Sequence, residues 1–252
     1  MTVPHDDRGL LLGDGLFETL LARGGALEHW EAHLARLTAG CATLGLPAPD
    51  GEAARRLCER AVEDAGLSRA AVRLTLTAGS GGRGLDRPKQ TQLRMFATAS
   101  ASPAPVGPAG LVTVGVRRNE HSPASRLKTL SYLDNVLARR EASGGEAGGA
   151  EALMLNTAGE LACAAAANLF WVRDGRLLTP ALGCGVLEGV TRGLVIARAR
   201  AKGMAVEEVR AGREALDGAE GLFLTNSLIG LRPVSMLDGR PVAESPLVGL
   251  LS

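Results

Sequence analysis

The stretch Arg126-Leu-Lys-Thr-Leu-Ser-Tyr-Leu-Asp-Asn-Val-Leu-Ala-Arg-Arg140 holds the residue around which the rest of the chain is read, Lys128. The chain has 28 lysines and arginines, and only Lys89, Lys128 and Lys202 are lysines. A chain that uses arginine almost everywhere has therefore set a lysine between apolar neighbours, Leu127 and Leu130. An amine acts as a nucleophile or proton carrier only where it can lose its proton. Burial and a nearby cation such as Arg126 both favour that loss, and arginine does not deprotonate. One reading is a Schiff-base lysine. The other is a surface lysine opening the helix that the pattern predicts over 130–143.

Composition narrows the classes. The chain has 252 residues, 46% of them hydrophobic, enough for one large or two modest domains. A net charge of +1 and a pI near 7.7 give no charge argument for nucleic acid or an anionic membrane surface. The segment Met-Thr-Val-Pro-His-Asp-Asp-Arg lacks an apolar core, so no signal peptide is expected. No run approaches the roughly 18 apolar residues of a membrane span. Cys41, Cys58, Cys163 and Cys184 show no CxxC spacing. Neither a zinc site nor a disulfide framework is expected, and a reducing cytoplasm is.

Outward from the lysine, the pattern predicts an α+β chain in two unequal parts. Residues 9–21 read as a glycine-broken turn entering a strand, in which Phe17, Thr19 and Leu21 alternate with Glu18 and Leu20. Residues 23–26 read as a hairpin turn. A helix over 28–46 carries the stripe Leu34, Leu37, Cys41 and Leu44. A second helix is expected over 51–65, then strands over 70–78 and 92–98. Residues 102–110 hold three prolines and two glycines and cannot continue a helix or central strand. We place the boundary there: a small N-terminal α+β domain over 1–104, a linker over 105–110, and a larger domain over 111–252 carrying Lys128. In the larger part, strands are expected at 111–116, 152–155, 161–172, 177–179, 205–209, 221–224 and 232–236, with a helix at 191–202.

Several segments could carry chemistry. Gly79-Ser-Gly81-Gly-Arg-Gly84 matches G-x-G-x-x-G, but Leu85-Asp-Arg-Pro-Lys-Gln90 does not open a helix, so a glycine-rich hairpin or substrate loop fits better than a dinucleotide site. His29 and His33 share a helix face without further ligands nearby, so no metal site is expected. Gly185-Val-Leu-Glu-Gly-Val-Thr-Arg192 feeds a helix N-terminus. It is either a phosphate site built on free N–H groups or an ordinary loop capped by Thr191. The strand end Thr225-Asn-Ser227 could also offer donors to a phosphate. Arg36 lies beside Leu37. Drawn inward, it needs a phosphate or a carboxylate; left at the edge, it is solvated.

Taken in order, GDGLFETL (13–20), HLARL (33–37), GSGGRG (79–84), LKTLSYLDNVLAR (127–139), ANLFWVRDGRLLTP (167–180), GVLEGVTR (185–192) and TNSLIGLRPV (225–234) resemble the fold-type IV, pyridoxal-phosphate-dependent aminotransferases. That family includes branched-chain and D-amino-acid aminotransferases and 4-amino-4-deoxychorismate lyase; GSGGRG and NSLIGLRPV are most like the lyase. The resemblance implies a small N-terminal α/β sandwich, a larger C-terminal pseudo-barrel domain, and a homodimer with its active site near the interdomain cleft. It implies that Lys128 binds pyridoxal phosphate covalently, and that Arg36, Val190, Thr191 and Ser227 hold the phosphate. Arg83, in the glycine-rich loop, becomes a candidate for a substrate carboxylate, against a plain surface arginine.

One departure from the family pattern bears on chemistry. The family places a glutamate five residues before the asparagine of its ANLF segment, where it holds the cofactor's pyridinium proton. Here that position is Cys163, counted from Asn168. Glu160 lies at an odd offset, on the opposite face of a strand, and could substitute only across a bulge. A neutral thiol supports a protonated pyridine poorly, which should hurt transamination more than an elimination driven by aromatisation. The expected activity is conversion of 4-amino-4-deoxychorismate to 4-aminobenzoate and pyruvate. The alternatives are a branched-chain or D-amino-acid aminotransferase, and a degenerate member that turns over little.

Overall fold

The computed structural model describes residues 2–81, 84–144 and 149–251. Chain contacts divide it into two compact units: Met1–Ala104 with Leu127–Ser131, and Pro105–Arg126 with Tyr132–Ser252.

The smaller unit contains α1 (Arg8–Leu12), β1 (Gly15–Arg23), β2 (Ala26–Leu27), α2 (Trp30–Thr43), α3 (Gly51–Ala65), β3 (Arg69–Thr77) and β4 (Arg94–Ala101). Its antiparallel sheet runs β2-β1-β3-β4, with β1 and β3 in unbroken register from Gly15↔Thr77 to Arg23↔Arg69. Leu16 and Leu20 of β1 share a core with Leu37 and Cys41 of α2 and with Ala54, Cys58 and Val62 of α3. The helix α3 occupies the span read from sequence because both ends are written locally. Asp50 accepts from Ala53 N–H at the start, and Gly66 takes a left-handed conformation at the end. The turn expected before β1 is partly the short helix α1, capped by Asp7 and closed by Gly13 at φ 67°.

The larger unit contains β5 (Ala109–Arg118), α4 (Pro123–Arg126), α5 (Leu133–Ala142), β6 (Glu151–Asn156), β7 (Leu161–Ala164), β8 (Asn168–Arg173), β9 (Arg176–Pro180), α6 (Val190–Ala201), β10 (Val206–Val209), β11 (Gly221–Asn226), β12 (Gly230–Leu237), β13 (Arg240–Pro241) and α7 (Pro246–Gly249). The strands form one mixed sheet ordered β10-β9-β8-β11-β12-β5-β6-β7, with β13 on β12. Helices and sheets share both units, the α+β class expected. Phe170 and Phe223 stack with centroids 5.0 Å apart, packed with Val195, Ile196 and Ala199 of α6.

Three sequence readings change. Ala109 and Gly110, read as linker, already pair with Val234 and Met236 of β12. The strand expected over 161–172 breaks at 165–167 into β7 and β8. Lys128 does not open a helix, and its segment groups with the smaller unit, not with the C-terminal part. The backbone at 127–131 runs along β1: Phe17 N–H donates to Lys128 C=O at 2.9 Å, and Leu130 N–H donates to Gly15 C=O at 3.1 Å. Pairing with a strand more than a hundred residues away overrides the helical pattern until Leu133. Among the described residues, no helix is long and apolar enough to cross a membrane.

Candidate active site

In the smaller unit, strand pairing carries Lys128 to β1. Its Nζ lies 4.2 Å from the centroid of the Phe17 ring, and the Arg73 guanidinium lies 3.7 Å from the same centroid. Burial pushes the Lys128 amine down to about 8; the Arg36 charge adds to this, Glu18 opposes it, and Arg73 contributes further lowering. The amine is thus poised to exchange a proton near neutrality, as the first reading of Lys128 requires.

Glu18 organises what surrounds the lysine. It is 2% exposed, accepts from Arg36 Nε at 2.9 Å and Nη2 at 2.6 Å, and shares a 2.7 Å hydrogen bond with His33 Nδ1. Burial alone would raise its carboxyl; the bonds from His33 and Arg36 outweigh that and hold it low. Arg36 is therefore drawn inward and braced by a carboxylate through a two-pronged fork. Residues 33 and 36 stand one turn apart on α2 and both reach Glu18.

In the larger unit, α6 starts at Val190 behind Gly189, whose N-cap position makes no side-chain hydrogen bond. The first N–H groups of a helix lack partners within it, so Val190 and Thr191 stand at an anion-attracting end. Asn168 fixes the loop before it, donating from Nδ2 to Leu187 C=O at 2.9 Å. A side chain on Gly189 would place Cβ 2.1 Å from Asn168 Oδ1, so the loop closes this tightly only on glycine. Ser227 lies in the turn after β11. Asn226 Oδ1 shapes that turn by accepting from Leu228 N–H and Ile229 N–H.

Cys163 sits on β7 opposite Met154 and is 7% exposed. Burial pushes its thiol up, with the Arg118 charge acting the other way. It is a neutral group at pH 7. The bulge that Glu160 would need does exist, between the Met154 and Leu155 pairings of β6 with β7. Glu160 nevertheless does not take the role, because its carboxylate is engaged elsewhere. It accepts from Arg210 Nε and Nη2, both at 2.9 Å, and from Asn156 Nδ2 at 2.7 Å.

Arg83 lies outside the described residues. His29 is the N-cap of α2 and His33 is committed to Glu18. No group of three or more His, Cys, Asp or Glu suited to a metal occurs among the described residues. Sequence reasoning missed Glu18, His33 and Arg73 around the lysine and Gly189 as an obligatory glycine. A signal for Glu18 was present: one charge inside the apolar run Leu16-Phe-Glu-Thr-Leu-Leu21 needs a buried partner.

The residues fit pyridoxal phosphate at two ends. Within the smaller unit, the part-buried Lys128 amine of lowered basicity suits an aldehyde; within the larger unit, taken by itself, the glycine-backed start of α6 suits a phosphate. Cys163, which the resemblance sets at the ring nitrogen, is a neutral thiol and not an anion.

A family model described as amino-transferase class IV matches residues 15–237. The structure of 4-amino-4-deoxychorismate lyase from Pseudomonas aeruginosa is 34% identical, with a TM-score of 0.90, covering 100% of this chain and 93% of that one. A bifunctional aminodeoxychorismate lyase and D-amino acid transaminase from Mycobacterium tuberculosis is 30% identical over 96% of this chain and 88% of its own length. A hypothetical aminotransferase from the same organism, solved in a PLP-bound form, is 27% identical, with a TM-score of 0.86, covering 100% of this chain and 92% of that one. Branched-chain and D-alanine aminotransferases stand among the matches as well.

Proposed function

This chain belongs to the amino-transferase class IV family, and from that premise we propose that it is a pyridoxal-phosphate-dependent lyase converting 4-amino-4-deoxychorismate to 4-aminobenzoate and pyruvate. The family is one of pyridoxal-phosphate enzymes, so the cofactor expected from the sequence stands. The observation that carries the chemistry is the part-buried Lys128 amine, brought down to about 8 beside Arg36 and Phe17. The preference for elimination rests on the neutral Cys163 thiol.

When bound, the cofactor supplies an aldehyde that takes up an amine and a ring that draws electron density from the carbon beside it. Lys128 Nζ is the covalent partner of the aldehyde. The freed Lys128 amine would be the base that takes the ring proton of the substrate. Departure of enolpyruvate then leaves an aromatic product ring. That gain offsets the weak electron withdrawal expected where Cys163 stands in place of an anion. Arg36, the Val190 N–H, the Thr191 hydroxyl and Ser227 hold the phosphate, and Glu18 and His33 keep Arg36 in place. Arg83 is retained as the proposed partner of a substrate carboxylate. The same reading carries a homodimer, a cytoplasmic location and a place in folate synthesis.

The test is to incubate the cofactor-loaded protein with 4-amino-4-deoxychorismate and measure pyruvate and 4-aminobenzoate, beside amino-group transfer from D-alanine and from branched-chain donors. Lyase turnover well above transfer, with transfer gained in Cys163→Glu, supports the proposal. Fast transfer without pyruvate release would replace it with the aminotransferase reading, the activity for which the D-alanine aminotransferase relatives are named. Absence of every activity would leave a degenerate member.

A further inference from the structure

The Thr225 hydroxyl has no role in the mechanism so far. Thr225 is 1% exposed, and its Oγ1 is buried without a hydrogen-bond partner among the described residues. A buried hydroxyl left unpaired is destabilising, so natural chains rarely keep one without a ligand or water to meet it.

Its position says what meets it. Along β11, Thr225 shares a face with Phe223, which packs with Val195 and Ile196 of α6. Directly across the sheet it pairs with Asn168, whose amide oxygen abuts Gly189 at the start of α6. Thr225 therefore lies beneath the first turn of this twelve-residue helix, whose N-cap makes no side-chain hydrogen bond. An unpartnered buried donor and an uncapped helix start converge on one place. Both call for the same complement, an oxyanion.

We propose that the Thr225 hydroxyl is a further phosphate ligand, donating to a phosphate oxygen at the N-terminus of α6. This rests on the proposed cofactor and adds a side-chain donor from the floor of the site. Serine keeps the donor; valine keeps the shape and removes it.

The experiment measures dissociation constants of pyridoxal phosphate and of unphosphorylated pyridoxal for the wild-type apoprotein, Thr225→Val and Thr225→Ser. A hydrogen bond to a charged group implies a loss of about tenfold to a hundredfold in pyridoxal phosphate affinity for Thr225→Val. Pyridoxal affinity should stay within about twofold by the same reasoning, and Thr225→Ser should retain most of the phosphate preference. Unchanged pyridoxal phosphate affinity in Thr225→Val, or equal weakening of both ligands, would overturn the proposal. A companion measurement uses inorganic phosphate and no cofactor. Phosphate should raise the melting temperature of the wild type more than that of Thr225→Val; equal shifts overturn the assignment. A wild type that binds no pyridoxal phosphate would sink the function reading, while the phosphate shifts would still decide Thr225.

Discussion

Lys128 is held where its charged form is disfavoured, and the sign of that effect can be tested. Its amine titrates near 8 in the folded chain, below the ordinary lysine value, so the unfolded chain binds the extra proton between those limits. The unfavourable contribution is full below about pH 8 and fades as pH rises toward about 10.5. Lys128→Met should therefore stabilise the apoprotein by roughly 3 kcal/mol at pH 7, with the gain shrinking through that window. Urea unfolding at stepped pH values checks it, and a destabilised variant at pH 7 would refute the burial argument. Glu18→Gln should act oppositely on stability, because it leaves Arg36 and His33 facing a neutral amide. The loss should be about 3–5 kcal/mol, as for one partner removed from a buried pair. It also removes the charge that holds the Lys128 amine up, so the pH midpoint for cofactor capture should move to lower pH. In the sequence Lys128 stands out because arginine is used almost everywhere else. Its neighbours do not: nothing local says that Glu18 and Arg36 meet, since that contact depends on how α2 lies on β1.

At the scale of elements, legibility depended on how locally each end was written. The helix α3 carries its own N-cap aspartate and C-terminal glycine and was read correctly from end to end. The helix read over 130–143 starts only at Leu133, because the backbone through Leu130 is held by β1, a partner the periodicity cannot see. Likewise the apolar run at 161–172 gave no sign of the break between β7 and β8, because both halves are buried and equally apolar. The loop entering α6 was legible as glycine-rich, but not which glycine mattered. Gly189 is the one pressed on Asn168, so Gly189→Ala must either move the loop or break the Asn168–Leu187 bond. We expect a stability loss of about 1–3 kcal/mol and a cofactor affinity weakened by about tenfold or more. Calorimetry and cofactor titration would show this, and a variant with unchanged affinity would mean that the close packing does not shape the site.

Over the whole molecule, opposing titrations shape stability. Asp14, held low chiefly by its hydrogen bond from Arg87, is joined by Glu18 and Asp238, where hydrogen bonds outweigh burial. These depressed carboxyls contribute stability above their unfolded values, and it is lost as pH falls through their folded ones, below about pH 4. Burial pushes the Cys41 thiol up to about 11 and Cys58 up to about 12, and raises Cys163 and Cys184. Raised thiols act the other way, and their contribution fades as pH climbs above about 9. Lys128 adds stability from about 8 upward, so the apoprotein should be most stable near pH 8 to 9, as read from urea midpoints across pH. In the sequence, the proline-rich stretch at 102–110 is what suggests a boundary. The exchange of 127–131 into the smaller unit was not legible, because it is a tertiary pairing. That exchange is what buries Lys128, and its chemistry is the central claim. The most direct test is the visible absorbance spectrum of the purified protein with added pyridoxal phosphate, beside Lys128→Ala. We predict a band shifted from that of the free cofactor in the wild type and absent from the variant. The same spectrum in both proteins, matching free cofactor, would contradict the account.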